Sequence, residues 1–349
     1  MQDICSMNIS ELTVLMKELN EPAYRAKQVF SWLSRGASVD DMTNLSKSLR
    51  EKLKEYPCLR VAIDQKRISA KDGTIKYLFR LHDDNLVEGV LMSYNYGNTL
   101  CISTQVGCKM GCEFCASTLD GCVRNLTAGE MMGFICCVEA DVPHTPEKLR
   151  SVTNIVLMGS GEPLDNYDNV VRFLQLVSSP DGMNISVRNI SLSTCGLVPE
   201  LLRFTDEAPH VTLSVSLHAP NDEIRGKLMP INMRYGIDEV LSAAKRYADL
   251  TGRRVVFEYA LIKELNSHYE HALELAKRLR GINCHVNLIP LNDVKERELH
   301  GVARAEAEQF MKWLDKLNIS ATVRREMGSD IDGACGQLRR RILKETQAE

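Results

Sequence analysis

The chain has 349 residues, 44% of them apolar and 26% charged, with a formal net charge of −3 and 12 cysteines. That length is enough for one large core with an accessory region, or for two domains. No apolar run is long enough to span a membrane, and the near-neutral charge balance excludes a globally basic nucleic-acid binder.

The opening stretch, MQDICSMNIS, lacks a basic segment followed by an apolar one, which places the protein in the cytoplasm. In that compartment cysteines point to metal binding, redox chemistry or core packing before a disulfide framework. Residues 1–57 read as helical, with apolar residues at helical spacing over Ile9–Leu19, Tyr24–Leu33 and Leu45–Leu53. Residues 60–92 read as strands, with Tyr77–Leu81 and Leu86–Met92 on either side of the turn-prone His82–Asn85.

From residue 99 a regular alternation begins. Short apolar runs stand at Leu100–Val106, Val152–Met158, Ile190–Ser193, Val211–Leu217, Val255–Ile262 and His285–Pro290, with a further one at Ser320–Arg324. Helical patterns separate them at Ala128–Val138, Tyr167–Val177, Val198–Phe204, Ile237–Tyr247, Tyr269–Leu279 and Ala303–Leu317. Six β-then-α units predict an α/β fold, a parallel sheet wrapped by helices as either a barrel or an open doubly wound sheet. Ligands in such folds gather at the C-terminal ends of the strands. A cysteine cluster, Gly159–Pro163, Ser193–Gly196, Ser216–His218 and Pro290–Asn292 all stand at those ends.

The cluster is Cys108, Cys112 and Cys115, spaced C-x3-C-x2-C, with Cys101 seven residues ahead. Three thiolates on one loop can hold three irons of a [4Fe-4S] cluster and leave the fourth open to a small molecule. Zinc is the rival, with Cys101 or Cys122 as a fourth ligand, although zinc sites usually pair two C-x2-C units or add histidines.

With the aromatic Phe114 before its last cysteine, this motif resembles that of the radical S-adenosylmethionine (SAM) enzymes. Gly159–Pro163, Leu192–Gly196, Ser214–Asp222, Val286–Asn292 and Gly328–Leu338 narrow the resemblance to the RlmN/Cfr group of RNA methyltransferases. Tyr24–Trp32 and Met42–Lys47 resemble the helical N-terminal domain of the same group, so the likeness runs along most of the chain. Two departures, Ser160 for a frequent Met and Cys195 for a common Ser, remove no backbone group or carboxylate that the motifs need.

The resemblance implies a partial (β/α)6 TIM-like barrel and a methyl-carrier cysteine near the C-terminus. It suggests an accessory region over residues 1–93, a core over 94–330 and a loop and tail over 331–349 carrying Cys335. It implies one [4Fe-4S] cluster on Cys108, Cys112 and Cys115, whose open iron binds SAM, and two SAM molecules per turnover. SAM contacts would come from Gly161, Glu162, Ser193, Ser216, Leu217, His218 and Asn292. The Glu162 carboxylate is expected to meet the cationic amino group of SAM, and the competing reading of His218 is a satisfied structural histidine. Cys335 would accept a methyl group and carry it to adenine as a radical, which suits C2, a carbon too poorly nucleophilic for direct displacement. Cys101 would release the adduct by forming a disulfide with Cys335, and Glu88 would take the C2 proton.

Without the resemblance, Glu88 reads as an exposed strand residue. The remaining cysteines, Cys5, Cys58, Cys122, Cys136, Cys137, Cys195 and Cys284, are expected in packing or on the surface. The substrates implied are adenosine 2503 of 23S rRNA and adenosine 37 of tRNA, splayed out of their stacks, with an electron donor such as flavodoxin or ferredoxin. Arg25, Lys27 and Trp32 are the candidate RNA contacts of the N-terminal helices. C8 methylation of the same rRNA adenosine is the nearest alternative, and a non-catalytic metal-binding RNA module is the alternative from another class.

Overall fold

The computed structural model describes residues 2–142, 150–208, 210–294 and 296–331; Cys335 lies outside them. Three helices come first, α1 (Ile9–Glu18), α2 (Arg25–Leu33) and α3 (Lys47–Leu53), where the apolar spacing predicts them. A capping box opens α1: Glu11 N donates to Asn8 Oδ1 (2.9 Å) and Asn8 N to Glu11 Oε2 (2.8 Å). The same carboxylate pairs with Arg172 at 2.8 Å, tying α1 to the core.

Cys5 and Cys58 form a disulfide with Cα atoms 5.6 Å apart, which corrects their assignment as packing or surface thiols. The pairing arises because residues 3–5 run beside residues 57–59: Ile4 N donates to Pro57 O (2.9 Å) and Leu59 N to Asp3 Oδ1 (3.1 Å). Spacing along the chain does not display that long-range contact.

A meander of β1 (Ala62–Ile68), β2 (Ile75–Arg80) and β3 (Leu86–Tyr94) follows, and β3 pairs antiparallel with β4 (Gly97–Ile102). The first strand of the repeat is expected to run to Val106 but leaves the sheet after Ile102. Thr104 N and Gln105 N both donate to Ser160 O instead (2.9 and 3.2 Å). The chain then forms a separate hairpin of β5 (Gln105–Gly107) and β6 (Cys122–Asn125), with the cysteine triplet in its loop.

The alternation expected from the sequence then proceeds through α4 (Ala128–Asp141), β7 (Asn154–Leu157), α5 (Tyr167–Ser178), β8 (Ile190–Thr194) and α6 (Val198–Glu207). After these come β9 (Thr212–Ser216), α7 (Asp222–Leu228), α8 (Ile237–Thr251), β10 (Val255–Leu261), α9 (Tyr269–Leu279), β11 (Cys284–Pro290), α10 (Arg304–Lys316) and β12 (Ala321–Val323). The main sheet has ten strands in the order β1-β2-β3-β4-β7-β8-β9-β10-β11-β12, parallel from β4 onward and open at its ends among the described residues.

Helix α4 joins this sheet to the N-terminal helices. Thr127 and Glu130 cap it, and it is buried on nearly all sides because both neighbours press on it. Gly129 N donates to Ser6 Oγ (2.8 Å), while the sulfurs of Cys136 and Cys137 face Ser34 O and Val61 O. Both thiols are therefore packing residues, as expected. One apolar core runs from α1 through the sheet to α10. No helix among the described residues is long and apolar enough to cross a membrane.

Candidate active site

Cys108, Cys112 and Cys115 line one open cavity of about 220 Å3 at the C-terminal ends of the parallel strands. Gly161, Glu162, Ser193, Ser216 and His218 share it, together with Phe114, Glu258, Ile289 and Arg324. Burial pushes the Cys108 thiol up to about 12, with Cys115 and Glu162 nearby adding to the effect. Burial likewise raises the Cys112 thiol, and its neighbours Cys115 and Cys108 raise it further. A bound metal centre supplies the positive charge that lets such thiols ionise, so the donor set fits one.

The turn after β7 holds Gly161 at φ +106°, where a Cβ would stand 2.7 Å from the Gln105 backbone nitrogen, so only glycine fits. Gln105 locks this turn: its Oε1 accepts from Glu162 N (2.9 Å) and its Nε2 donates to Asp165 Oδ2 (2.8 Å). The Glu162 carboxylate accepts from Cys195 N (2.7 Å) and Leu164 N (3.0 Å). It therefore braces the β7 and β8 ends while still lining the cavity, which the turn also meets with backbone brought close by glycine.

His218 sits at φ +58° beyond β9, an uncommon conformation for a bulky residue. Its Nδ1 accepts from Ala260 N (2.9 Å), so the ring proton is on Nε2, and its ring packs edge-on against Phe114 at 4.7 Å. Burial, with the Arg225 charge adding to it, lowers its pKa to about 3. His218 is thus a satisfied histidine that also walls the cavity, and the two sequence readings meet in one residue. Ser193 Oγ and Ser216 Oγ lie 3.4 Å apart at the strand ends. The Leu217 side chain is wholly buried in the core.

A second cavity of about 390 Å3 adjoins the first, with Ile289 and Arg324 in both walls. Cys101 and Asn292 open into this one, beside Val90, Met92, Arg304, Arg325 and Met327. Cys101 on β4 stands directly opposite Val90 on β3, so both point to the same face of the sheet. Glu88, two residues before Val90, shares that face.

Glu88 is not the exposed strand residue its sequence context suggests: it is 6% exposed and pairs at 2.8 Å with Lys76, which is fully buried on β2. Ser103 Oγ donates to the Glu88 carbonyl (2.9 Å) and accepts from Ser160 N (3.0 Å), joining β3 to the Gly161 turn.

Lys76, Glu258, Arg225 and Arg324 are the site residues that sequence reasoning misses. Glu258 on β10 accepts from Asn287 (2.8 Å), and burial raises its pKa. Arg225 is fully buried, donating to Cys195 O (2.7 Å) and Asn232 Oδ1 (2.8 Å). Within a strand pattern a charged residue reads as solvent-facing; only the sheet pairing shows Lys76 and Glu258 pointing inward.

Comparison with known proteins agrees with this geometry. Residues 102–276 match the Radical SAM superfamily and residues 2–59 match the ribosomal RNA large subunit methyltransferase N-terminal domain. A protein from Clostridium novyi (strain NT) named "Probable dual-specificity RNA methyltransferase RlmN" is 47% identical over 347 residues, 99% of each chain. One of the same name from Alkaliphilus oremlandii is 49% identical over 344 residues, 98% of each. A crystal structure of a radical SAM methyltransferase from Sphaerobacter thermophilus superposes with a TM-score of 0.90 at 42% identity, covering 97% of this chain and 99% of the other. The chain belongs to the RlmN family of radical SAM RNA methyltransferases.

Proposed function

We propose that the protein methylates C2 of adenosine in RNA, at adenosine 2503 of 23S rRNA and adenosine 37 of tRNA, through a methylated Cys335. The observation that carries this reading is Cys101, which lines a cavity adjoining the one that holds the three cluster cysteines and shares its face of the sheet with Glu88. Dual specificity is also what the names of the relatives state of those proteins.

Cys108, Cys112 and Cys115 would hold the [4Fe-4S] cluster, and the turn at Gly161 with Ser193, Ser216 and His218 would seat SAM. When bound, these groups supply an electron, a methyl group and the means of removing a hydrogen atom. The protein's own residues do the rest. The Cys335 sulfur carries the one-carbon unit to C2, and Glu88, held by Lys76, takes the C2 proton. The Cys101 thiolate then attacks the Cys335 sulfur; an S–S bond forms, the C–S bond breaks with its electron pair passing to the product carbon, which takes a proton to become the methyl group, and a dithiol reductant resets the pair. Arg304, Arg324 and Arg325 border the cavity as donors to RNA phosphate. Lys27 and Trp32 share an exposed depression with Arg35 and Asn44 on the N-terminal helices, a second place for RNA.

The test is mass spectrometry of rRNA and tRNA nucleosides from cells lacking and overproducing the protein. Loss and gain of 2-methyladenosine are expected; 8-methyladenosine in its place refutes the regiochemistry. Cys101→Ala is expected to accumulate an RNA–protein adduct at Cys335, and clean turnover by that variant removes Cys101 from the release step.

A further inference from the structure

Two segments 256 to 261 residues apart in sequence meet at the turn between β1 and β2. The turn is closed by Ser69 N donating to Thr74 O (2.8 Å) and Gly73 N to Ser69 O (3.1 Å). The polar groups it has left engage residues 328–330. Gly328 N donates to Asp72 Oδ2 (2.9 Å), and Lys71 Nζ to Ser329 Oγ (3.0 Å). Ser69 Oγ donates to Asp330 Oδ1 (2.6 Å), and Ala70 N to Asp330 Oδ2 (3.0 Å).

Gly328, at φ +64°, lies so close to the turn that a Cβ there would be 3.2 Å from the Thr74 methyl carbon. Ile331 is buried beside it, and Met327 packs against the cluster formed by Val90, Met92 and Cys101. The stretch belongs to no helix or strand, yet it is held at every residue from 327 to 331.

We propose that the β1–β2 turn is a clamp that registers the C-terminal segment bearing Cys335 against Cys101, with Ser69, Asp72 and Asp330 as positioning residues for the transfer and release steps. The inference rests on the carrier role proposed above for Cys335. Cys335 stands four positions beyond Ile331, at most about 14 Å of extended backbone. With Asp330 released, the nearest fixed points become Ser329 and Gly328, held by Lys71 and Asp72, six and seven positions from Cys335. Effective concentration falls roughly as the −3/2 power of tether length, so the longer tether lowers it roughly twofold.

The experiment measures that quantity directly. Anaerobic holoenzyme is equilibrated with reduced and oxidised glutathione. The Cys101 and Cys335 thiols exchange with one oxidised glutathione to give the intramolecular disulfide and two reduced glutathiones. The disulfide-linked peptide is quantified by mass spectrometry. Asp330→Ala is expected to need a glutathione ratio roughly twofold more oxidising for half-formation. Asp330→Asn is expected to restore the wild-type ratio, because its amide can accept from Ala70 N–H and donate to the Ser69 hydroxyl. Ser69→Ala, which removes one bond, should shift the ratio less and in the same direction.

Iron content and melting temperature establish that each variant is folded. An Asp330→Ala protein that forms the disulfide at the wild-type ratio overturns the clamp and leaves the carrier reading standing. A wild-type protein that forms no Cys101–Cys335 bond at any ratio overturns the carrier reading, and the clamp with it.

Discussion

His218 offers a titration that can be worked through from the structure. Burial and the Arg225 charge lower its pKa to about 3, while the unfolded chain has an ordinary histidine near 6.5. Below 6.5 the unfolded state therefore binds a proton that the folded state refuses. The stability this residue confers is complete above that value and is lost as pH falls from 6.5 toward 3. Between pH 7 and pH 5 the loss is RT times the logarithm of the ratio of unfolded-state binding polynomials, about 2 kcal/mol.

The control is His218→Asn. Asparagine tolerates the positive φ of this position, its Oδ1 can accept from Ala260 N in place of Nδ1, and it does not titrate. Urea unfolding followed by tryptophan fluorescence at pH 7 and pH 5 gives the two differences. The variant should lose about 2 kcal/mol less than the wild type over that interval. Parallel losses in the two proteins refute the argument, because they mean that the folded state accepts the proton as readily as the unfolded chain does.

Lys76→Met removes the ammonium from the buried Glu88 carboxylate and should lower the unfolding free energy by about 3–5 kcal/mol. Combining it with Glu88→Leu should restore much of that loss; an unchanged melting temperature in the single variant refutes a buried pair. Cys58→Ser opens a loop closed across a sequence separation of 53, and the chain-entropy argument puts the loss at about 4 kcal/mol. Equal urea midpoints for Cys58→Ser and wild type would show that the bond does not form in solution.

Much of the site could be read from the sequence because its signals are local. The cysteine triplet, the turn at Gly161 and the strand ends at Ser193, Ser216 and His218 each announce themselves within a few residues, and the alternation of apolar runs places them on one rim. The helices fared well for the same reason, since α1 and α4 carry their own capping boxes.

What stayed hidden depends on which strand lies beside which. Lys76 reaches Glu88 diagonally across β2 and β3, a relation set by register and not by spacing. Cys5 finds Cys58 because residues 3–5 and 57–59 run side by side. The break in the first strand of the repeat after Ile102 was illegible because the acceptor that draws the chain away, Ser160 O, comes 56 residues after Thr104 and 55 after Gln105. The second task of the Glu162 carboxylate, bracing the strand ends, stayed hidden because a backbone donor that holds it, Cys195 N, belongs to another strand's end.

The pairing of β3 with β4 also says where this molecule can be cut. A boundary placed at residue 93 falls in the middle of a hydrogen-bonded hairpin, six residue pairs long, that fixes the strand bearing Cys101. Exchanging everything before that point between related enzymes would unzip that strand. The stretch around residues 59–61, between the N-terminal helices and β1, belongs to no helix or strand. A seam there leaves the meander with the main sheet, so chimaeras of the N-terminal helices should be built by swapping the first sixty residues and no more.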